Sequence, residues 1–281
     1  MASQPLVLSV EPFGGSVRNH NPNLPLVFFD DAAVTRGDGV FEALLVRDNR
    51  VCNLERHWQR FVSSAQLLDL PEPHQQGWHK AIELALESWG DDEGAMTWTY
   101  TRGRAATGIP SAWLTIKPVE PRPEKVRVVT GERRYRASQT DTPWAVIGAK
   151  TLNYAENMAA LRWAKTQGYG DFVFIEGDKV LEGANSTVVS FKGNKIRTPQ
   201  VGGGVLAGTT QAALFAHATE LGWRCKEKEL LYEDLFRADS VWLVSAIRGP
   251  VRVSRIDGKK LPPCENEAEI RELVWASLLS Q

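Results

Sequence analysis

Along LERHWQRFVSSAQLLDL, residues 54–70, apolar side chains return every three or four positions, with Leu54, Phe61, Ala65 and Leu68 on one side. That period predicts an amphipathic helix, ending near Pro71. The preceding FEALLVRD has the look of a strand, AMTWTYTRG alternates as a strand does, and SAWLTIKPV adds another after the turn-prone ATGIP. PVEPRPEK then packs three prolines among charged residues and reads as an extended linker. Beyond it, VRVVT and WAVIGA read as strands, and LNYAENMAALRWAKTQG as a helix closed by Gly168. DFVFIE and STVVSF lie beside two hairpins, one turning at Gly177 and Asp178, the other at Gly193 and Asn194. VGGGVLAGTT opens a helix from about Gln211 to Leu221, capped by Gly222, and SVWLVSA is the last strand. Strands and helices mixed in both halves predict an α+β protein: an N-terminal domain over 1–118, a linker over 119–124 and a C-terminal domain over 125–281.

Composition narrows the function. Lysine plus arginine (33) nearly balances aspartate plus glutamate (34), so no bulk field favours nucleic acid or an anionic membrane, and a small polar ligand fits better. No stretch approaches the length of a membrane span and no basic segment precedes the first apolar residues, which points to a cytoplasmic protein. The three cysteines and five histidines lack paired or ligand spacing, which disfavours a disulfide framework and a metal site.

Four features could carry chemistry. Lys150 follows the apolar run from Trp144 to Ala149 and precedes a helix. A desolvated lysine there would be a usable amine nucleophile, although a strand end with its lysine in water reads as well from pattern alone. The glycine-rich turn from Gly202 to Thr210 feeds a helix whose free N–H groups suit a phosphate; Thr209 stands where a nucleotide-binding loop needs lysine, so a nucleoside triphosphate is disfavoured. A plain glycine-rich hairpin end with Thr209 as N-cap fits the same residues. Glu182, before Gly183 in an otherwise apolar or small segment, and Arg60, three residues after His57 and adjacent to Phe61, complete the set, each also readable as solvated.

In order, RGDGVFEALLV, LERHWQRF, KTLNY, VLEGANSTV, LAGTTQ and VSA resemble the fingerprint of class IV (fold type IV) pyridoxal phosphate (PLP) enzymes. That group holds branched-chain and D-amino acid aminotransferases and 4-amino-4-deoxychorismate lyases. The resemblance implies a small N-terminal α+β domain and a larger, barrel-like C-terminal domain, D-amino acid aminotransferase-like, with PLP as cofactor and a homodimer in which a neighbouring chain completes the site. It implies that Lys150 forms the Schiff base and shuttles protons, that Glu182 faces the pyridine nitrogen, and that Tyr154 hydrogen-bonds the phenolic oxygen. Arg60, Gly208, Thr209, Thr210 and Ser245 would hold the phosphate, with Leu206 against the ring. Substrate would meet Tyr100 and Arg102, which match a Y-x-R pattern of branched-chain enzymes, together with Arg36, Ala246 and Arg248.

The run of motifs most resembles the lyases, which implies conversion of aminodeoxychorismate to 4-aminobenzoate and pyruvate. Glu42 and Ala43 stand where some lyases carry threonines, and RGRAATGIP replaces a glycine-rich loop. An aminotransferase acting on branched-chain or D-amino acids with 2-oxoglutarate is the alternative. A non-enzymatic anion-binding module is the competing class.

Overall fold

The computed structural model describes residues 4–133 and 144–279. They form two compact units, one of Met1–Glu120 with Ala149–Tyr154, the other of Pro121–Gly148 with Ala155–Gln281.

The first unit is a six-stranded antiparallel sheet backed by helices. Strands β1 (Leu6–Val10) and β2 (Val17–Asn19) precede the short helix α1 (Ala32–Arg36). Then come β3 (Gly39–Arg47), β4 (Arg50–Val51), α2 (Leu54–Leu67), α3 (Gln75–Trp89), β5 (Gly94–Thr101) and β6 (Ser111–Pro118), in sheet order β2-β1-β6-β5-β3-β4. The predicted helix is α2: His57, Trp58, Phe61, Ser64 and Ala65 form its buried stripe, and Leu68 caps it. Helix α3, absent from the sequence-based expectations, buries Trp78, Ala81, Ile82, Ala85 and Trp89 at helical spacing. Its start carries none of the common N-cap residues: His74 caps it, Nδ1 accepting from the Gly77 N–H at 3.1 Å. Trp58, Phe61, Trp78 and Trp98 meet edge to face or tilted, with centroids 5.1–6.4 Å apart, which gives three of the ten tryptophans a place in one core.

The second unit holds a nine-stranded mixed sheet. Its strands are β7 (Lys125–Glu132), β8 (Asp171–Glu176), β9 (Lys179–Gly183), β10 (Thr187–Lys192), β11 (Lys195–Thr198), β12 (Arg224–Glu227), β13 (Ser240–Ser245), β14 (Gly249–Ile256) and β15 (Lys259–Lys260). They run in the order β12-β11-β10-β13-β14-β7-β8-β9, with β15 beside β14. Helices α4 (Ala155–Thr166), α5 (Thr209–Glu220), α6 (Tyr232–Arg237) and α7 (Glu267–Leu279) cover it. Both predicted hairpins form, with Gly177 and Gly193 at positive φ in their turns.

Two expectations need correction. WAVIGA is not a strand: Trp144 and Val146 are exposed and the residues form turns, so an apolar run without a pairing partner takes no ladder. The helix read from Leu152 begins at Ala155, because Leu152 donates its N–H to Gly39 O at 2.8 Å and is held extended against β3. The architecture as a whole is the mixed α+β arrangement that the fold-type resemblance implies. Among the described residues no helix is long and apolar enough to cross a membrane.

Candidate active site

In the first unit the chemistry gathers around the start of β3. Lys150 O accepts from the Phe41 N–H at 3.0 Å, Thr151 bridges Val40, and the Lys150 N–H donates to Ser64 Oγ at 3.0 Å. The backbone of Lys150 is therefore pinned between a strand and α2. Its half-buried side chain places Nζ 4.3 Å from the Phe41 ring centroid and 5.5 Å from that of Tyr154, and those two rings meet edge to face at 5.4 Å. Aromatic faces attract the ammonium, which holds the amine near apolar surface.

Strand alternation sends the next residue, Glu42, to the opposite face, where it is wholly buried. Arg60 clasps it bidentately, Nε and Nη2 each donating at 2.7 Å, and His57 Nδ1 donates at 2.6 Å. Burial by itself would raise the Glu42 carboxyl; the Arg60 guanidinium and the His57 contact outweigh it and bring the pKa down to about 2. Burial lowers the pKa of His57 against the pull of Glu42. His57 is thus the neutral donor of the trio, and Glu42 and Arg60 are its two compensating charges. Glu42, which stands where some lyases carry threonine, is the anchor of Arg60.

Tyr100, opposite Val40 on β5, is fully buried, and burial pushes its phenol up to about 12. Among the described residues its hydroxyl has no hydrogen-bond partner, so it stays a protonated donor. Arg102 has Nε on Asp38 Oδ2 at 2.7 Å and reaches the carbonyls of Leu68 and Asp69 at the end of α2. Arg36 is exposed at the last position of α1.

In the second unit Glu182, on β9, is held from two sides. Arg133 Nη2 donates to its Oε1 at 2.9 Å, and the Leu206 N–H donates to its Oε2 at 3.0 Å. Arg133 also donates to Gly204 O and lies 4.3 Å from the Phe174 ring centroid. Sequence reading missed Arg133 because ERRYR looks like a solvated charge run; the signal was its place at the end of a buried strand.

Helix α5 starts with Gly208 as N-cap, and Thr209, Thr210 and Gln211 are buried in its first turn. The Thr210 hydroxyl is buried and has no hydrogen-bond partner among the described residues. A buried donor beside the positive end of a 12-residue helix is the chemistry of a seat for a phosphate group. A Cβ on Gly208 would collide with Thr187 Oγ1, so only glycine leaves that approach unchanged. Ser245 closes β13 opposite Gly249, and Ala246 and Arg248 lie in the turn between them. Arg248 Nη1 pairs with the buried Asp171 at 2.7 Å, while its Nε and Nη2 are buried and have no hydrogen-bond partner among the described residues.

A Mycobacterium tuberculosis protein described as a bifunctional aminodeoxychorismate lyase / D-amino acid transaminase is 42% identical over 276 residues, covering 92% of this chain and 96% of its own. A hypothetical aminotransferase of the same organism, solved in a PLP-bound form, superposes with a TM-score of 0.93 at 40% identity, covering 98% of this chain and 99% of the other. Its form with alpha-ketoglutarate and PMP superposes with the same score, identity and coverage. The family described as amino-transferase class IV matches residues 39–256, so the chain belongs to the class IV aminotransferase family and is a PLP-dependent enzyme.

Proposed function

We propose that this enzyme is a 4-amino-4-deoxychorismate lyase, releasing 4-aminobenzoate and pyruvate. The observation that carries the reading is the M. tuberculosis relative, 42% identical over 92% of this chain, whose description includes that lyase activity. When bound, PLP supplies a conjugated ring that stores the electron pair left when a substrate carbon loses its proton.

The chain's residues supply the rest. Lys150 is the amine that carries the cofactor and moves the proton from C4 of the substrate; its approach to Phe41 and Tyr154 supports that role. Loss of that proton and cleavage of the bond to the enolpyruvyl oxygen make the ring aromatic. The same proton, returned to the methylene of the departing enolpyruvate, gives pyruvate, so no further reactant is consumed. Glu182, gripped by Arg133, is the carboxylate that would hold a proton at the pyridine nitrogen. Tyr154 is the donor to the cofactor's phenolic oxygen, and Leu206 packs on its ring. Arg60, oriented by Glu42, with Gly208, Thr209, Thr210 and Ser245, binds the phosphate; the Thr210 hydroxyl, buried with no hydrogen-bond partner among the described residues, fits that use. Tyr100, the backbone at Ala246, and the guanidinium groups of Arg36, Arg102 and Arg248 receive the substrate's carboxylates.

The enzyme works as a homodimer, a reading supported by Phe28, Phe29 and Val34, which are exposed in the segment leading to Arg36 in the first unit. Transamination of D-amino acids is the second reading. The same relative's description names it, and the related structure with alpha-ketoglutarate and PMP favours an oxo-acid acceptor. The deciding experiment supplies aminodeoxychorismate and, separately, D-alanine or a branched-chain amino acid with 2-oxoglutarate. Formation of 4-aminobenzoate supports the lyase; amino-group exchange alone removes it. Sedimentation at micromolar concentration should show twice the chain mass.

A further inference from the structure

We propose that the β11–β12 edge of the second unit carries a separate site for a condensed phosphate, a compact anion with three or more negative charges. The two strands pair in parallel, with Lys195 opposite Arg224 and Arg197 opposite Lys226. These positions alternate with Ile196 and Cys225, which turn to the core beneath α5, so all four cations share the other face. Together they line a cavity of about 190 Å³. On the next strand Lys192 lies opposite Lys195, extending one row to three cations across three strands.

Like charges directly opposite each other in a sheet are destabilising. Among the described residues, no carboxylate forms an ion pair with any of the four. Arg224 is oriented nonetheless: its Nε and Nη2 both donate to Asn194 Oδ1, at 3.2 and 2.7 Å, which aims the guanidinium without neutralising it. Nearby acids are engaged elsewhere: Glu227 lies beside Gln211 and Asp239 accepts from the Gly193 N–H. Protection of an open sheet edge explains charges on the outermost strand, β12, yet Lys195 and Arg197 belong to β11, which is paired on both sides. An anion bridging the rows relieves both repulsions at once. Neighbouring strands are ~4.8 Å apart and alternate residues ~6.6 Å apart along a strand, so the charges outline a small rectangle that a chain of two or three phosphates can span. Two arginine forks and two lysine point charges suit phosphate oxygens.

The test uses the PLP-saturated enzyme, so that the cofactor's own phosphate seat is filled. Isothermal titration with inorganic tripolyphosphate should show one saturable equivalent per chain, with the cofactor absorbance unchanged. The double variant R197Q/K226Q should weaken binding about tenfold or more, and K195Q/R224Q, altering the other row, should do the same if the first variant fails to fold. ATP in the same titration separates sources: tighter binding than tripolyphosphate identifies a nucleotide, equal or weaker binding a free condensed phosphate, and either supports the site. Absence of saturable heat beyond a sulfate control of equal ionic strength, or affinity unchanged in both variants, overturns the proposal.

Discussion

Replacing Glu42 by glutamine keeps the shape of the buried side chain and removes its charge. In the native protein both carboxylate oxygens are in use, with Arg60 donating at 2.7 Å to each and His57 at 2.6 Å to one. Glutamine offers one acceptor oxygen and turns an NH2 toward donors, removing the carboxylate charge that Arg60 clasps. Breaking a buried pair from one side costs about 3–5 kcal/mol. Proton linkage gives a similar figure: a carboxyl lowered from 4.5 to about 2 corresponds to about 3 kcal/mol of stability at neutral pH. Because the folded-state pKa is depressed, that stability is fully present above pH 4.5 and is lost as pH falls toward 2. Differential scanning calorimetry from pH 3 to 8 is the assay. E42Q should melt roughly 6–15 °C below the native enzyme at pH 7. The gap should narrow on acidification, since the native enzyme loses the advantage that the variant never had. A variant within about 1 kcal/mol of native at pH 7, or a gap that does not change with pH, would refute the assignment of Glu42 as the ionised anchor of Arg60.

Other outcomes follow from the same geometry. K150A should lose the borohydride-fixed chromophore and lower turnover by about 10²–10⁴-fold, as expected for a residue that transfers the proton; a labelled peptide elsewhere in the chain would displace Lys150. T210V removes a hydroxyl that has no hydrogen-bond partner among the described residues, so cofactor-free stability should stay within about 1 kcal/mol while PLP affinity falls several-fold, read by thermal melting and by PLP titration. Gly103 has φ +82, and a Cβ there would strike the Ile109 carbonyl; G103A should lose about 1–3 kcal/mol in denaturant unfolding.

The sequence by itself determined the elements whose signals are local. Apolar spacing every three or four residues marked α2, glycines at Gly177 and Gly193 marked the hairpin turns, and the glycine-rich run ending at Gly208 marked the start of α5. Motif order likewise led to the family, because short blocks in a set order survive without knowledge of their packing. Only the tertiary structure decided which side chains meet. Glu42 finds His57 and Arg60 by folding α2 back over β3, and Glu182 finds Arg133 through a contact 49 residues distant in the chain. The run before Lys150 looked like a strand, yet its residues form turns, while Lys150 itself is pinned beside Phe41. Periodicity reports which side of an element is buried. The partner on that side is set by strand register and long-range closure, which no local pattern encodes.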